Sequence, residues 1–367
     1  MDLKKKINLL MISSSSSLGG GTKHMFMLGE NLSSDYKIFY AIPNNKNFHK
    51  YLTQENHLAI AERKLEIRDI KNLRRFIRSN SIDIIHAHGK GAGVIARIAC
   101  VFSKKPLIYT FHGIHLRCHN RLKNFIYIAY EYLFGWIDSN KILVSKSEKL
   151  YARRSNIFLG NNSIVINNGV NEMPIKDSEN KKDFTNNVYN FSKINVISIC
   201  RFVVQKNIQD ILEIACLLSD INFYIVGNGP LFREINNLIF KKDLKNVFLL
   251  GEKNDIFNYL YSSDIYLSTS LYEGLPLSIL EAMSIGIPIV ASNVRGNCDT
   301  IVNNKSGFLY EINNLNDAAY YIEKLAKNKK LREKIGNSAF YRQRRIFSKA
   351  KMIRSYDYLY LQNFLKK

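Results

Sequence analysis

Short apolar runs alternate with longer amphipathic stretches along almost the whole chain. In the first half, runs rich in Ile, Val and Leu occupy 7–13, 37–42, 83–88, 107–111, 141–145 and 164–167. They are too short for helices and too continuously apolar for half-exposed strands. They predict strands buried on both faces of a parallel sheet. Helical spacing of apolar residues at 23–32, 70–79, 91–102, 122–136 and 147–154 fills the intervals. The second half repeats the alternation, with strands expected at 195–200, 222–226, 247–250, 264–268 and 288–291. Its helices are expected at 207–218, 230–240, 256–261, 277–285 and 315–327. Such alternation predicts an α/β chain of two doubly wound, Rossmann-like domains.

The polar stretch 171–192, which contains DSENKKDFTNN, has almost no periodic apolar pattern and is expected to be a linker. The domains are therefore placed at 1–170 and 193–347. A last helical pattern over 348–365 carries Met352, Tyr356, Leu359, Tyr360 and Phe364 on one stripe. It is expected to cross back, so that 348–367 completes the first domain. Ligands in such sheets bind beyond the carboxyl ends of the strands. The site is accordingly expected in a cleft between the two domains.

Composition narrows the class. A chain of 367 residues suits two cores, and 46% hydrophobic with 23% charged residues excludes extensive disorder. No apolar run approaches the roughly 18–20 residues that span a bilayer. The longest candidate, 125–137, carries Glu131. Lys4, Lys5 and Lys6 followed by apolar 7–12 superficially resemble a signal peptide. The apolar part is too short and runs into a glycine-rich turn, so it is read as the first strand. Cys100, Cys118, Cys200, Cys216 and Cys298 are odd in number, scattered and without metal-ligand spacing. That pattern predicts free thiols in a reducing, cytoplasmic setting and no structural zinc. The balance of 53 Lys and Arg against 31 Asp and Glu, a formal charge of +22, calls for an anionic partner. Basic clusters at 4–6, 74–78, 153–154 and 329–354 are spread over the chain, with no zinc finger or RNA-binding aromatic signature.

The most informative segment is 270–293, SLYEGLPLSILEAMSIGIPIVASN. Pro276 suits a first helical position, Gly286 a helix stop, and Pro288 the entry to the next strand. The amides around Gly274, Leu275, Pro276, Leu277 and Ser278 then open a helix, where unpaired N–H groups and the helix dipole favour an anion. Glu281, about one turn inside, is placed to accept hydrogen bonds from a ribose diol, and Glu273 to reach sugar hydroxyls. As a whole the segment resembles the E-x7-E signature of retaining glycosyltransferases of family four, which have the GT-B fold. The resemblance covers both glutamates, the Gly-Leu-Pro turn, Glu-Ala-Met and Gly-Ile-Pro-Ile-Val-Ala.

Other segments are similar to the same family. Ile199-Cys-Arg-Phe-Val-Val-Gln-Lys-Asn207 looks like its diphosphate-binding segment, although Cys200 stands where the family usually has Gly. The resemblance implies that Arg201 and Lys206 hold the donor phosphates and neutralise the leaving group. Gly19, Gly20 and Gly21 resemble the glycine-rich loop that approaches the diphosphate. Thr110-Phe-His-Gly113 resembles the family's T-x-H-G segment, implying that His112 hydrogen-bonds the sugar or acceptor. Asp83-Ile-Ile-His-Ala-His88 also looks like the family. His86 and His88, at strand spacing two, share one face and could be ligands for a metal, but with no third ligand evident they are assigned a structural or acceptor-side role. Val144-Ser145, Asn168-Gly169-Val170, Gly227-Asn-Gly-Pro230 and Ser306-Gly307-Phe308 extend the likeness over nearly the whole chain.

The resemblance implies a retaining, metal-independent hexosyltransferase. No D-x-D motif is present, and no cofactor is expected beyond a nucleotide-diphosphate sugar as co-substrate. Implied partners are that donor and a glycan or lipid-linked glycan acceptor in O-antigen, capsule or lipopolysaccharide synthesis. Arg117, Arg121, Lys123, Phe125, Tyr127 and Trp136 are candidates for an acceptor-facing surface, peripheral on the anionic inner face of the cytoplasmic membrane. Two other readings stay open: a GT-B nucleotide-sugar epimerase, and, on charge alone, a nucleic-acid-binding protein. Nucleic acid is not among the partners expected.

Overall fold

A computed structural model of the protein describes residues 6–17, 19–114, 116, 121–176 and 189–366. The chain forms two compact units. One comprises the residues up to Asn168 together with those from Ala350 onward, and the other is Gly169–Lys349.

The first unit is built on seven parallel strands: β1 Ile7–Ser13, β2 Tyr36–Ile42, β3 His57–Ala59, β4 Ile84–His88, β5 Leu107–Thr110, β6 Asn140–Leu143 and β7 Ser163–Val165. Their spatial order is β3-β2-β1-β4-β5-β6-β7. β1 pairs with β2 on one side (Leu10 opposite Phe39) and with β4 on the other (Leu10 opposite Ile85). The order therefore reverses between β1 and β4, a switch point whose carboxyl-end crevice is the usual ligand position. Both faces of the sheet are covered, which is why its strands read as unbroken apolar runs. On one face Leu10, Ile12 and Ile85 pack with Leu73 and Ile95 from the helices Ile67–Ser79 and Lys90–Cys100. On the other, Leu9, Met11 and Ile84 pack with Met25 and Phe26 of helix Gly20–Asn31. They also pack with Met352, Tyr356, Leu359 and Tyr360 of helix Lys349–Leu365. The last helix thus completes the core of the first unit.

The second unit has six parallel strands: β8 Asn195–Ile199, β9 Asn222–Val226, β10 Val247–Gly251, β11 Ile265–Ser268, β12 Ile289–Ser292 and β13 Phe308–Tyr310. Their order, β10-β9-β8-β11-β12-β13, reverses between β8 and β11. The described ends of the polar stretch 171–192 pack in this unit. The Lys176 N–H donates to the Ile285 carbonyl at 2.8 Å, and Tyr189 stacks on Tyr224 with ring centroids 3.8 Å apart. Residues 177–188 lie outside the described ones.

Among the described elements that the pattern did not predict, β3 and β13 have three residues each, too few to show a period, helix Asn297–Thr300 is a single turn, and helix Lys329–Ile346 falls in what reads as a basic cluster. The inward side of that helix is lined by Ile335, Gly336, Ala339, Phe340 and Gln343, with few large apolar residues to mark it. Among the described residues Cys100, Cys200, Cys216 and Cys298 are free thiols, and no helix is long and apolar enough to cross a membrane.

Candidate active site

In the second unit the turn after β8 and the turn after β11 are knitted together at the switch point. The Leu271 N–H donates to the Gln205 carbonyl at 2.8 Å, and the Gln205 amide returns a 2.8 Å bond to the Tyr272 carbonyl. The Thr269 hydroxyl reaches the carbonyls of Lys206 and Asn207 at 2.9 and 3.0 Å. Asn207 adopts the left-handed conformation, with φ 47°, as it leads into helix Ile208–Leu217. This framework sets Lys206 against Glu273. The Lys206 Nζ donates to Glu273 Oε1 at 2.5 Å, and the Ser270 hydroxyl donates to the same oxygen at 2.7 Å. Among the described residues Oε2 has no such bond.

Burial alone would pull the Lys206 ammonium down. The charge and hydrogen bond of Glu273 outweigh it, and the group is held above the usual lysine range. Arg201 is exposed, and its positive charge reaches Lys206 as a smaller opposing influence. The Cys200 thiol is pushed up to about 12, chiefly by burial, so it stays protonated.

Glu273 is backed by Gly296. A Cβ there would stand 2.7 Å from Glu273 Cβ and 2.9 Å from the Gly274 carbonyl oxygen, at a φ of 80° that side chains rarely adopt. The Glu273 N–H donates to the Arg295 carbonyl at 3.2 Å. Helix Leu277–Ser284 then begins, and Pro276, read from the sequence as its first residue, is its N-cap instead. Its first-turn amides have no partner within the helix. Ser278, in that turn, lines a shallow concavity with Lys206, Ser270, Thr269 and Tyr266. Leu275, Leu277 and Glu281 are buried. Glu281 lies close enough to Tyr266 for its charge to be felt there. Gly286 ends the helix at φ 80°, as expected.

In the first unit the candidates gather at the other switch point. Gly19 caps helix Gly20–Asn31. Gly20 borders open space, whereas a Cβ on Gly21 would come within 3.3 Å of the His112 ring. His112 follows β5 in the left-handed region, with φ 56°. Its turn is held by Glu148, whose carboxylate accepts from Gly113 N–H at 2.6 Å and from Val144 N–H at 2.8 Å. His112 Nε2 lies 3.0 Å from His88 Nδ1.

His86 has the structural role expected of it, with its ring 3.9 Å from that of His88. Both His86 nitrogens are taken, Nδ1 by the Tyr360 hydroxyl at 2.6 Å and Nε2 by the Thr110 hydroxyl at 2.8 Å. The third imidazole near His88 and His112 comes from His24, a residue the sequence did not single out. Burial holds all four rings in the neutral form, with His112 lowered to about 3.

The acceptor-facing candidates divide. Phe125 and Trp136 are 69% and 65% exposed, beside exposed Leu122 and Leu133. Arg121 and Lys123 are also exposed. Tyr127 is buried, contrary to expectation, because it shares the inward stripe of helix Arg121–Phe134 with Glu131. The Lys90 ammonium lies 3.5 Å from its ring centroid. Arg117 is outside the described residues. Sequence reasoning also missed Ser270, Gly296 and Glu148. Ser270 lies inside the quoted motif, but nothing local marks the other two.

Known proteins resemble this chain in both sequence and fold. The sequence profile of glycosyl transferases group 1 matches residues 179–342, and that of glycosyltransferase family 4 matches 18–172. An Escherichia coli UDP-Gal:alpha-D-GlcNAc-diphosphoundecaprenol alpha-1,3-galactosyltransferase is 30% identical over 267 residues, 68% of each chain. The Staphylococcus aureus capsular polysaccharide biosynthesis glycosyltransferase CapM is 23% identical over 320 residues, 83% of this chain and 84% of the relative. In fold, the chain is similar to Anabaena HepE, solved in complex with UDP and glucose. The TM-score is 0.84 at 17% identity, covering 95% of this chain and 98% of HepE.

Proposed function

The chain belongs to the GT-B glycosyltransferases of family four, and on that premise we propose that it moves a sugar from a nucleoside-diphosphate donor to a lipid-linked glycan acceptor in surface-polysaccharide assembly. The observation that carries this reading is the Lys206–Glu273 pair, set at the switch point of the second sheet beside the first turn of helix Leu277–Ser284. The similarity to a transferase acting on a diphosphoundecaprenol-linked sugar supports the acceptor class.

In this proposal the donor diphosphate lies against Lys206, Arg201 and the first-turn amides. Negative charge grows on the leaving phosphate as its bond to the anomeric carbon breaks, and groups fixed in advance stabilise it. Glu273 keeps Lys206 charged through Oε1 and offers Oε2 to a sugar hydroxyl. An Oε1 engaged by both Lys206 and Ser270 favours this holding role over nucleophilic attack. Glu281 takes the ribose. Gly19, Gly20 and Gly21 are assigned to the diphosphate, and His112 to the sugar. The acceptor oxygen attacks from the leaving-group face while a donor phosphate oxygen takes its proton, giving retention. The two cations and the helix terminus do the work a divalent metal would do at the diphosphate, so transfer itself is metal-independent. The exposed apolar face with Phe125 and Trp136, flanked by Arg121 and Lys123, is where the chain meets the membrane that carries the acceptor.

The test is transfer from a panel of UDP- and GDP-sugars to extracted lipid-linked acceptors, with products identified by mass spectrometry and their anomeric configuration by NMR. The reading predicts acceptor-dependent product with the donor's configuration. An isomerised nucleotide sugar formed without acceptor would replace it with the epimerase reading.

A further inference from the structure

We propose that His24, His88 and His112 form a binding site for one divalent transition-metal ion, zinc by preference, in the first unit. One nitrogen from each ring can be chosen so that all lie within 4.8 Å of one another. The rings come from three separate elements: helix Gly20–Asn31, the end of β4 and the turn after β5. Two imidazole nitrogens on one tetrahedral zinc, each about 2.0–2.1 Å from the metal, stand roughly 3.3 Å apart. His88 Nδ1 and His112 Nε2 are already 3.0 Å apart. The His24 ring centroid lies 4.7 Å from that of His112 and 5.6 Å from that of His88.

The cluster carries unmet polar demand. His24 is fully buried, and neither of its ring nitrogens has a hydrogen-bond partner among the described residues. The buried Nε2 of His88 also lacks one. A buried polar group left in this way keeps the cost of its lost hydration. An ordinary core histidine has its nitrogens satisfied, as His86 does through Tyr360 and Thr110. His86 packs its ring 3.9 Å from that of His88 and supports the cluster rather than joining it.

Imidazole-only donors select borderline ions such as zinc, copper or nickel over magnesium or calcium, which prefer oxygen. Half-buried His112 leaves one side open for an ion to enter and for a water to complete the coordination. A bound ion would tie the first helix to the ends of β4 and β5. One of its ligands, His112, also carries the proposed sugar contact, so the site adds to that reading; its test reads metal binding and does not depend on transfer activity.

The full chain, stripped with chelator and dialysed, is titrated with Zn²⁺ by calorimetry, and with Co²⁺ by visible absorption. One equivalent should bind, with tetrahedral cobalt bands, and zinc should raise the melting temperature. His24→Gln and His112→Ala should each weaken binding more than about tenfold, whereas exposed His49→Ala should bind as the parent does. Circular dichroism establishes that each variant is folded. Should His24→Gln fail to fold, the half-buried His112 position still decides the matter. Absence of zinc binding by the parent chain, or parent-like binding by folded His112→Ala, would overturn the proposal.

Discussion

Lys206 and Glu273 show what a sequence can and cannot reveal about a single residue. Each was legible within its own motif. Their 2.5 Å contact was not, because they are separated by 67 residues and no local period encodes such a meeting. The same holds for Glu148 beneath the His112 turn, and for His24, which reads as one more position in a helix. The pairing has a pH consequence. Lys206 is raised because Glu273 outweighs burial, so Glu273→Gln removes the main upward influence and leaves burial, the largest single one, favouring the neutral amine together with Arg201. The ammonium is the useful form, and it is lost as pH rises through its pKa. Glu273→Gln should therefore move the alkaline limb of the pH–rate profile to lower pH, besides lowering turnover. An unmoved limb would show that the pair does not tune Lys206.

At the scale of elements, buried parallel strands are conspicuous because both faces need apolar side chains. β1 and β9 fall where the apolar runs end, and most other elements within a residue or two. Helix Lys329–Ile346 escaped notice because part of its contact is made by absence of a side chain. A Cβ on Gly336 would lie 2.0 Å from the Gly286 carbonyl oxygen, at the stop of the motif helix Leu277–Ser284. Gly336→Ala should force these two elements apart and destabilise the protein by about 1–3 kcal/mol, as overpacking does. Urea unfolding followed by circular dichroism measures this, and an unchanged midpoint would mean that the approach is looser than described. By contrast, the stripe of Met352, Tyr356, Leu359 and Tyr360 was plain in the sequence, and all four are buried in the first unit.

For the whole molecule the dominant facts are the formal charge of +22 and a large exposed apolar face on helix Arg121–Phe134 and the turn after it. Scattered exposed apolar residues are ordinary, but a contiguous face with basic flanks is of the kind that meets a membrane. The basic flanks were evident in the sequence. The outward direction of Phe125 and the inward one of Tyr127 were not, since helical phase decides them. The protein should float with phosphatidylglycerol vesicles at low salt and far less at high salt, because charge attraction is screened. Phe125→Ser with Trp136→Ser should weaken flotation even at low salt. Equal recovery with neutral phosphatidylcholine vesicles would remove the electrostatic part of this reading.

The central claim is that fixed cations at the switch point of the second sheet stabilise the leaving diphosphate. Steady-state transfer kinetics of Lys206→Ala and Arg201→Ala, on folded protein with the donor found active, test it most directly. Loss of such charge stabilisation should lower kcat by about 10²–10³-fold, by analogy with the loss of one oxyanion donor. Parent-like kcat in both variants would contradict the account.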